Sequence, residues 1–329
     1  MTYKISRRDV LIGAMATSLT GVSQAAPTSL QKAQIAITLD LEMSREYPRR
    51  GMLEWDYQKG NLDEATKNYA SNAARVAKER GGLIHFFCVG RVLEQPDVTW
   101  LKEIAASGHP VGNHTYDHVN LLAKSPEELQ FRFRRSPWLI AGKSIDEILR
   151  DNIRLTTEAL RQRCGIQPNG FRTPGGFSNG LNDRPDLQRM LLESGFPWCS
   201  SKYPAHPTGP PKEKPTAEVY DGIVQAQYAA QPFVYPSGLI EIPMSPISDV
   251  GAFRTNYWKL EWFLAALERA VEWAIANAAV FDFLAHPSCL VVEDPTFESI
   301  KLICDLVQRS QGRAEIVGLD QVAKRFADN

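Results

Sequence analysis

Strand-length apolar runs alternate with helix-length amphipathic stretches along this sequence, and the alternation predicts an α/β fold: a parallel sheet or barrel inside a layer of helices. Three observations carry this expectation. The strand-like runs, such as Ile35–Leu39 and Val280–Ala285, are short and apolar. The stretches between them place apolar residues at helical spacing. The composition, 43% hydrophobic and 23% charged over 329 residues, is that of an ordinary globular chain.

The elements follow in order. After Ile35–Leu39 come a polar loop and a helix from about Asp63 to Glu79. "LIHFFCV" (Leu83–Val89) is the second strand. "DVTWLKEIAASG" is a helix stopped by Gly108, with Val98, Leu101, Ile104 and Ala105 on one face. Two helices are expected over Pro126–Arg163, then a short strand at Gly170–Arg172, a helix at Pro185–Ser194 and a strand near Trp198. Leu239–Met244 is a strand, "WKLEWFLAALERAVEWAIANAA" a long amphipathic helix and "VFDFLA" a strand. Thr296–Arg309 is a helix, "AEIVG" a strand and Leu319–Phe326 a closing helix. Two long Pro-rich loops, 43–62 and 202–236, read as surface insertions at the rim of a single domain rather than as linkers. Chemistry in such folds gathers at that rim, on the loops after the strand C-terminal ends.

The formal net charge of −1 offers no field to attract nucleic acid or anionic lipid. Residues 1–26 read as an address label. Arg7 and Arg8 precede an apolar stretch, Val10 to Val22, that is diluted by Thr17, Ser18 and Thr20 and too short to span a bilayer comfortably. Ser23-Gln24-Ala25 ends in the small residue a cleavage site needs. The pair of arginines resembles a twin-arginine export signal; an uncleaved anchor is the alternative. The expectation is an exported protein, periplasmic or extracellular, whose domain runs over 27–329 with no integral membrane span. The five cysteines, Cys88, Cys164, Cys199, Cys289 and Cys304, are odd in number and contain no CxxC pair. They form neither a disulfide framework nor a zinc ribbon. Export after folding in a reducing cytoplasm fits free thiols.

Four strand ends carry candidate chemistry. "TLDLE" ends the first strand in Asp40 and Glu42. Side chains alternate with period two, so both point one way while Leu39 and Leu41 point the other. One carboxylate could bind a metal and the other act as a base; two acids in a turn would look the same. "GHPVGNHTYDH" sets His114 and His118 four apart, a spacing that on a helical turn puts both imidazoles on one face within reach of one ion. Such pairs are as often capping or surface residues. Asp117 between them could orient an imidazole or be solvated. "FRTPGG" puts Arg172 before a rigid turn, where it could hold a carboxylate or serve the turn alone. "FDFLAHPSC" ends an apolar strand in His286, a catalyst or a packed rim residue.

Taken together, acid-x-acid, His-x-x-x-His, Arg-x-Pro-Gly and Leu-x-His in this order resemble the polysaccharide deacetylase proteins (NodB homology, carbohydrate esterase family four). The resemblance covers Ala36 to about Phe326 and is most specific over "FFCVGRVLEQPDVTWLKEIAASGHPVGNHTYDH". It implies a distorted (β/α) barrel of the polysaccharide deacetylase type, with one divalent ion, often zinc, at its top. It implies that His114 and His118 are metal ligands, that Asp40 is the general base oriented by Arg172, and that His286 protonates the leaving amine.

Two departures stand out. The family commonly has adjacent acids, the second a ligand; here that position is Leu41, and Glu42 is expected to be the third ligand instead. The alternatives are an ion held by histidines and water, or no ion. Where many members have an aromatic-Asp pair facing the arginine, this chain has Trp198-Cys199. Arg172 is therefore expected to lean on Asp40, and Trp198 to wall the substrate's acetyl methyl or sugar face. No His-Asn pairing supports Cys199 as a nucleophile. Tyr47, Trp55 and Tyr57 in the rim loop could stack on sugar rings or pack the loop down. The resulting function is metal-dependent hydrolysis of an amide C–N bond, first of all N-deacetylation of an N-acetylated glycan. The rivals are hydrolysis of a non-glycan or cyclic amide, and an inactive carbohydrate-binding descendant, suggested by Leu41 and Cys199.

Overall fold

The computed structural model describes residues 31–45 and 59–327. The twin-arginine stretch and the rim aromatics Tyr47, Trp55 and Tyr57 lie outside the described residues. The strands are β1 (Ala33–Leu41), β2 (His85–Cys88), β3 (Val111–Asn113), β4 (Phe171–Phe177), β5 (Trp198–Lys202), β6 (Phe233–Val234), β7 (Ile240–Glu241), β8 (Val280–Ala285) and β9 (Ala314–Ile316). The helices are α1 (Glu64–Glu79), α2 (Thr99–Ala106), α3 (Pro126–Leu129), α4 (Phe131–Arg135), α5 (Ile145–Cys164), α6 (Pro185–Glu193), α7 (Ala217–Ala226), α8 (Leu260–Ala276), α9 (Pro287–Glu293), α10 (Glu298–Arg309) and α11 (Leu319–Ala327).

The strands form one sheet in the order β6-β7-β5-β4-β3-β2-β1-β8, with β9 also paired to β1. Every pairing is parallel except β6 with β7. The sheet curls until its two ends meet. There Ser245, just past β7, bridges to Phe283 of β8. The Ser245 N–H donates to the Asp282 carbonyl at 3.0 Å, and the Asp282 N–H returns to Ser245 Oγ at 3.0 Å. The result is the distorted barrel the sequence predicts, with its seam between β7 and β8.

Local chemistry sets the helix ends. The Asp63 carboxylate accepts from the Thr66 N–H and starts α1. Ser144 and Glu147 form a capping box on α5, and Gly165, at φ 69°, ends it in the left-handed region.

Strand alternation divides the interior into layers. On β1, Ile35, Ile37, Leu39 and Leu41 pack outward against the helices. Ala36 points inward with Phe87, Trp198, Ile240 and Val280 to fill the barrel floor. Above that floor the same inward register carries Thr38, then Asp40, then Glu42.

Three expectations need correction. The stretch 126–164 holds three α-helices, because Gln130 is extended (φ −161°) and separates α3 from α4. The Pro-rich loop 202–236 contains α7, capped by the Thr216 side chain, and its Tyr220 hydroxyl donates to the Trp262 carbonyl of α8. Prolines flanking a ten-residue helix hid it. The segment after His286 is also helical, as α9.

Candidate active site

The site lies at the C-terminal end of the barrel. Asp40 is buried, and its Oδ1 accepts from Arg172 Nη1 at 3.1 Å. Arg172 is fully buried, with its guanidinium carbon 4.3 Å from the Phe87 ring centre. Nη1 also donates to Thr38 Oγ1 at 2.7 Å, and Nη2 donates to Asp282 Oδ2 at 2.5 Å. Burial pushes the Asp40 carboxyl up, but Arg172, His114 and His286 together hold it below its ordinary value. Burial dominates at Asp282, whose carboxyl is raised to about 6 against the opposing pull of Arg172.

Arg172 leans on Asp40 as expected, and Asp282 is a second acid that the sequence reading did not foresee. The position on β5 where the family has its carboxylate is Cys199, which faces outward. Across the barrel, β8 supplies Asp282 in its place. The Cys199 thiol lies 3.4 Å from Glu241 Oε2, and burial drives it well above its ordinary value, which disfavours the thiolate a nucleophile needs.

Glu42, His114 and His118 each bring one ligand atom to a common point, all within 4.8 Å of one another. His114 Nδ1 lies 3.0 Å from the Arg172 carbonyl. A carbonyl only accepts, so the proton is on Nδ1 and Nε2 presents its lone pair to the cleft. Burial lowers His114 to about 3, which keeps the ring neutral. Among the described residues Glu42 Oε2 is buried without a hydrogen-bond donor in good geometry; His118 Nε2 at 2.7 Å and Lys59 Nζ contact it as charge pairs. A buried carboxylate oxygen beside two imidazoles suits a divalent ion. Four carboxylates, Asp40, Glu42, Asp249 and Asp282, are buried here, and Arg172 pairs with Asp40 and Asp282.

The His-x-x-x-His pair does not lie on a helical turn. Residues 114–118 are a loop in which Thr115 and His118 both take φ 58°, and the two rings meet at 5.0 Å between centres. Asp117 orients neither ring. It pairs with Arg132, and its N–H donates to Asn152 Oδ1 at 2.8 Å, which ties the loop to α4 and α5.

His286 faces the same point from β8. Its Nδ1 donates to Asp249 Oδ1 at 2.8 Å, and Asp249 Oδ2 accepts the His286 N–H at 2.7 Å. Nε2 is thereby aimed at Glu42 Oε1, 2.8 Å away, and lies 4.0 Å from Asp40 Oδ2. The cleft measures about 220 Å³, and Met43, Tyr203, Met244 and Leu284 supply its apolar walls.

Trp198 is not in this cleft. It shares a face with Ser200, which meets Arg172, but lies two residues nearer the strand's start, roughly 7 Å deeper. There it packs edge-on against His85 and Phe87. Among the described residues, the sequence reading missed Lys59, Asp249 and Asp282. Only Asp282 had a signal: an acid inside the apolar run "VFDFLA".

Comparison with known proteins agrees with this geometry. A family profile described as polysaccharide deacetylase matches residues 53–184, which hold His114, His118 and Arg172 but neither Asp40, Glu42 nor His286. Residues 53–184 thus match the polysaccharide deacetylase family, and the rest of the chain is similar to it in fold. The chitooligosaccharide deacetylase of Azorhizobium caulinodans is 34% identical over 58 residues, 17% of this chain and 27% of that protein. The match thus spans about a quarter of that relative. A Mycobacterium smegmatis structure described as a polysaccharide deacetylase superposes with a TM-score of 0.60 at 16% identity, over 92% of this chain and 94% of that one. Puue allantoinase superposes with a TM-score of 0.54 at 13% identity, over 95% and 97%. At these identities the two structures speak for the fold alone.

Proposed function

We propose that this chain hydrolyses an amide C–N bond with one divalent ion, zinc first, and that its substrate is an N-acetylated polysaccharide. The observation that carries the reading is the convergence on Asp40. Its Oδ2 lies 3.7 Å from His114 Nε2 and 4.0 Å from His286 Nε2, so base, ligand and acid share one cleft.

Glu42, His114 and His118 would hold the ion. When bound, a divalent ion polarises a carbonyl oxygen and makes water more acidic. Asp40 takes the proton of the attacking water, and Arg172 keeps it ionised to do so. Asp282 and Thr38 fix Arg172. Asp249 holds the His286 ring so that a proton on Nε2 points into the cleft, toward the leaving amine. The apolar walls exclude water and suit an acetyl methyl. Both departures behind the inactive reading have counterparts: Glu42 stands in for Leu41 as the acid, and Asp282 for the acid missing at Cys199.

A polymer substrate is favoured by a second depression of about 350 Å³ over α3 and α4, which shares His118 and Gly175 with the cleft. The small size of the cleft itself favours the second reading, a compact non-glycan or cyclic amide. Acetate release from N-acetylglucosamine oligomers, run beside ring opening of cyclic amides, separates them. Acetate release supports the proposal; ring opening without it transfers the chain to the second reading. We also propose export through residues 1–26, resting on Arg7 and Arg8. Full retention in the cytoplasm would oppose it.

A further inference from the structure

We propose that Lys59 is a resident counter-cation that competes with the divalent ion for Glu42 Oε2, and so sets how tightly the chain holds metal. The inference rests on the metal reading above and goes beyond it, since Lys59 belongs to no motif of the sequence.

The position of Lys59 is built. The N–H of its neighbour Gly60 donates to the Glu42 carbonyl at 2.5 Å. Gly60 has φ +87°, and a Cβ there would come within 2.2 Å of Arg91 Cβ. Only glycine meets both conditions. The Ser44 hydroxyl donates to the Asn61 carbonyl, so residues 59–61 are fastened to the chain leaving β1. Lys59 is 1% exposed, lines the cleft and places Nζ against Glu42 Oε2. Burial works strongly against the charge on Lys59 and the Asp40 carboxylate supports it; buried ammonium groups are rare unless matched by charge in this way.

Glu42 Oε2 is the oxygen that faces His118, and the other oxygen is taken by His286. An ammonium and a divalent ion on one carboxylate oxygen repel strongly in a buried site. The ion therefore binds at the expense of the Lys59 contact. A lysine present only to stabilise the fold makes the opposite prediction: its loss would disorder Glu42 and weaken binding.

The test is Zn²⁺ titration calorimetry at one fixed pH on the full chain, with Lys59→Met, Lys59→Gln as a second neutral variant and Lys59→Arg as the charge-keeping control. The proposal predicts that the neutral variants bind Zn²⁺ on the order of tenfold tighter or more, with Lys59→Arg near the parent. Binding by the neutral variants where the parent shows none supports it as well. Equal or weaker binding by both neutral variants, beside measurable binding by the parent, overturns it and leaves the metal reading standing. Binding by no chain overturns both. If a neutral variant is unstable without metal, Zn²⁺ must restore its near-ultraviolet circular dichroism; unfolded protein in saturating Zn²⁺ overturns the proposal.

Discussion

Arg172 and Asp282 meet at 2.5 Å in the barrel interior, both side chains wholly buried, although their strands β4 and β8 are separated by β3, β2 and β1 in the sheet. The pair spans the barrel directly beneath Asp40. It secures Nη2 of Arg172, while Nη1 meets Asp40 at 3.1 Å.

Removing Asp282 leaves the buried Arg172 guanidinium with the Asp40 carboxylate alone among the described residues. Asp282→Ala is expected to cost about 3 kcal/mol or more, and Asp282→Asn less, because an amide oxygen still accepts from Nη2. Urea unfolding at neutral pH measures both. A loss under about 1 kcal/mol for the alanine variant would show that Arg172 does not depend on Asp282.

Asp40 and His286 differ from the proposed ligands Glu42, His114 and His118 in what their loss would remove. Asp40→Asn is expected to lower kcat by about a hundredfold or more while metal content stays at the parent level. His286→Ala is expected to slow turnover with little change in metal. Metal analysis and acetate release on the same samples check this, and loss of the ion from His286→Ala would argue against its role as the acid.

His85 provides a pH signature away from the cleft. It is fully buried, with Nε2 bonded to the Asn169 carbonyl at 2.8 Å and Nδ1 accepting from the Leu319 N–H at 3.2 Å. Burial lowers it from 6.5 to about 4. The unfolded chain therefore takes up a proton that the folded chain refuses between those values. Stability from this group is complete above pH 6.5 and is lost as pH falls toward 4, by about 3 kcal/mol in all. Stability followed by denaturant from pH 7 to 4 is expected to fall more gently in His85→Gln. An unchanged slope would contradict the assignment.

Trp198 tests the layering of the barrel. Gly170 lies so near that a Cβ there would fall within 1.8 Å of the indole. Trp198→Phe is expected to lower stability by about 1–3 kcal/mol through the space it leaves, with KM within about twofold of the parent. A large rise in KM with stability intact would return Trp198 to the substrate.

The sequence made the barrel legible because its strands and helices differ in period; Asp40, Glu42 and His286 stood out at the end of an apolar strand, and His114, His118 and Arg172 through their short motifs. The signals failed where contacts cross the barrel. Nothing local in "VFDFLA" says that Asp282 meets Arg172, since that depends on closure of the sheet. Trp198 was placed by its neighbour in sequence rather than by its depth along the strand. The spacing of His114 and His118 was informative for the wrong reason, because two left-handed residues do the work assigned to a helical turn. Lys59 carries no local signal; the hydrogen bond from the Gly60 N–H to the Glu42 carbonyl that places it beside β1 is visible only in three dimensions.

The central claim is that Glu42, not Leu41, completes the metal centre. Metal content by plasma mass spectrometry on purified Glu42→Ala, beside the parent chain and Asp40→Asn, tests it most directly. The account predicts about one divalent ion per chain in the parent and in Asp40→Asn, with most of it lost from Glu42→Ala. A Glu42→Ala chain that keeps its full complement of metal would contradict it.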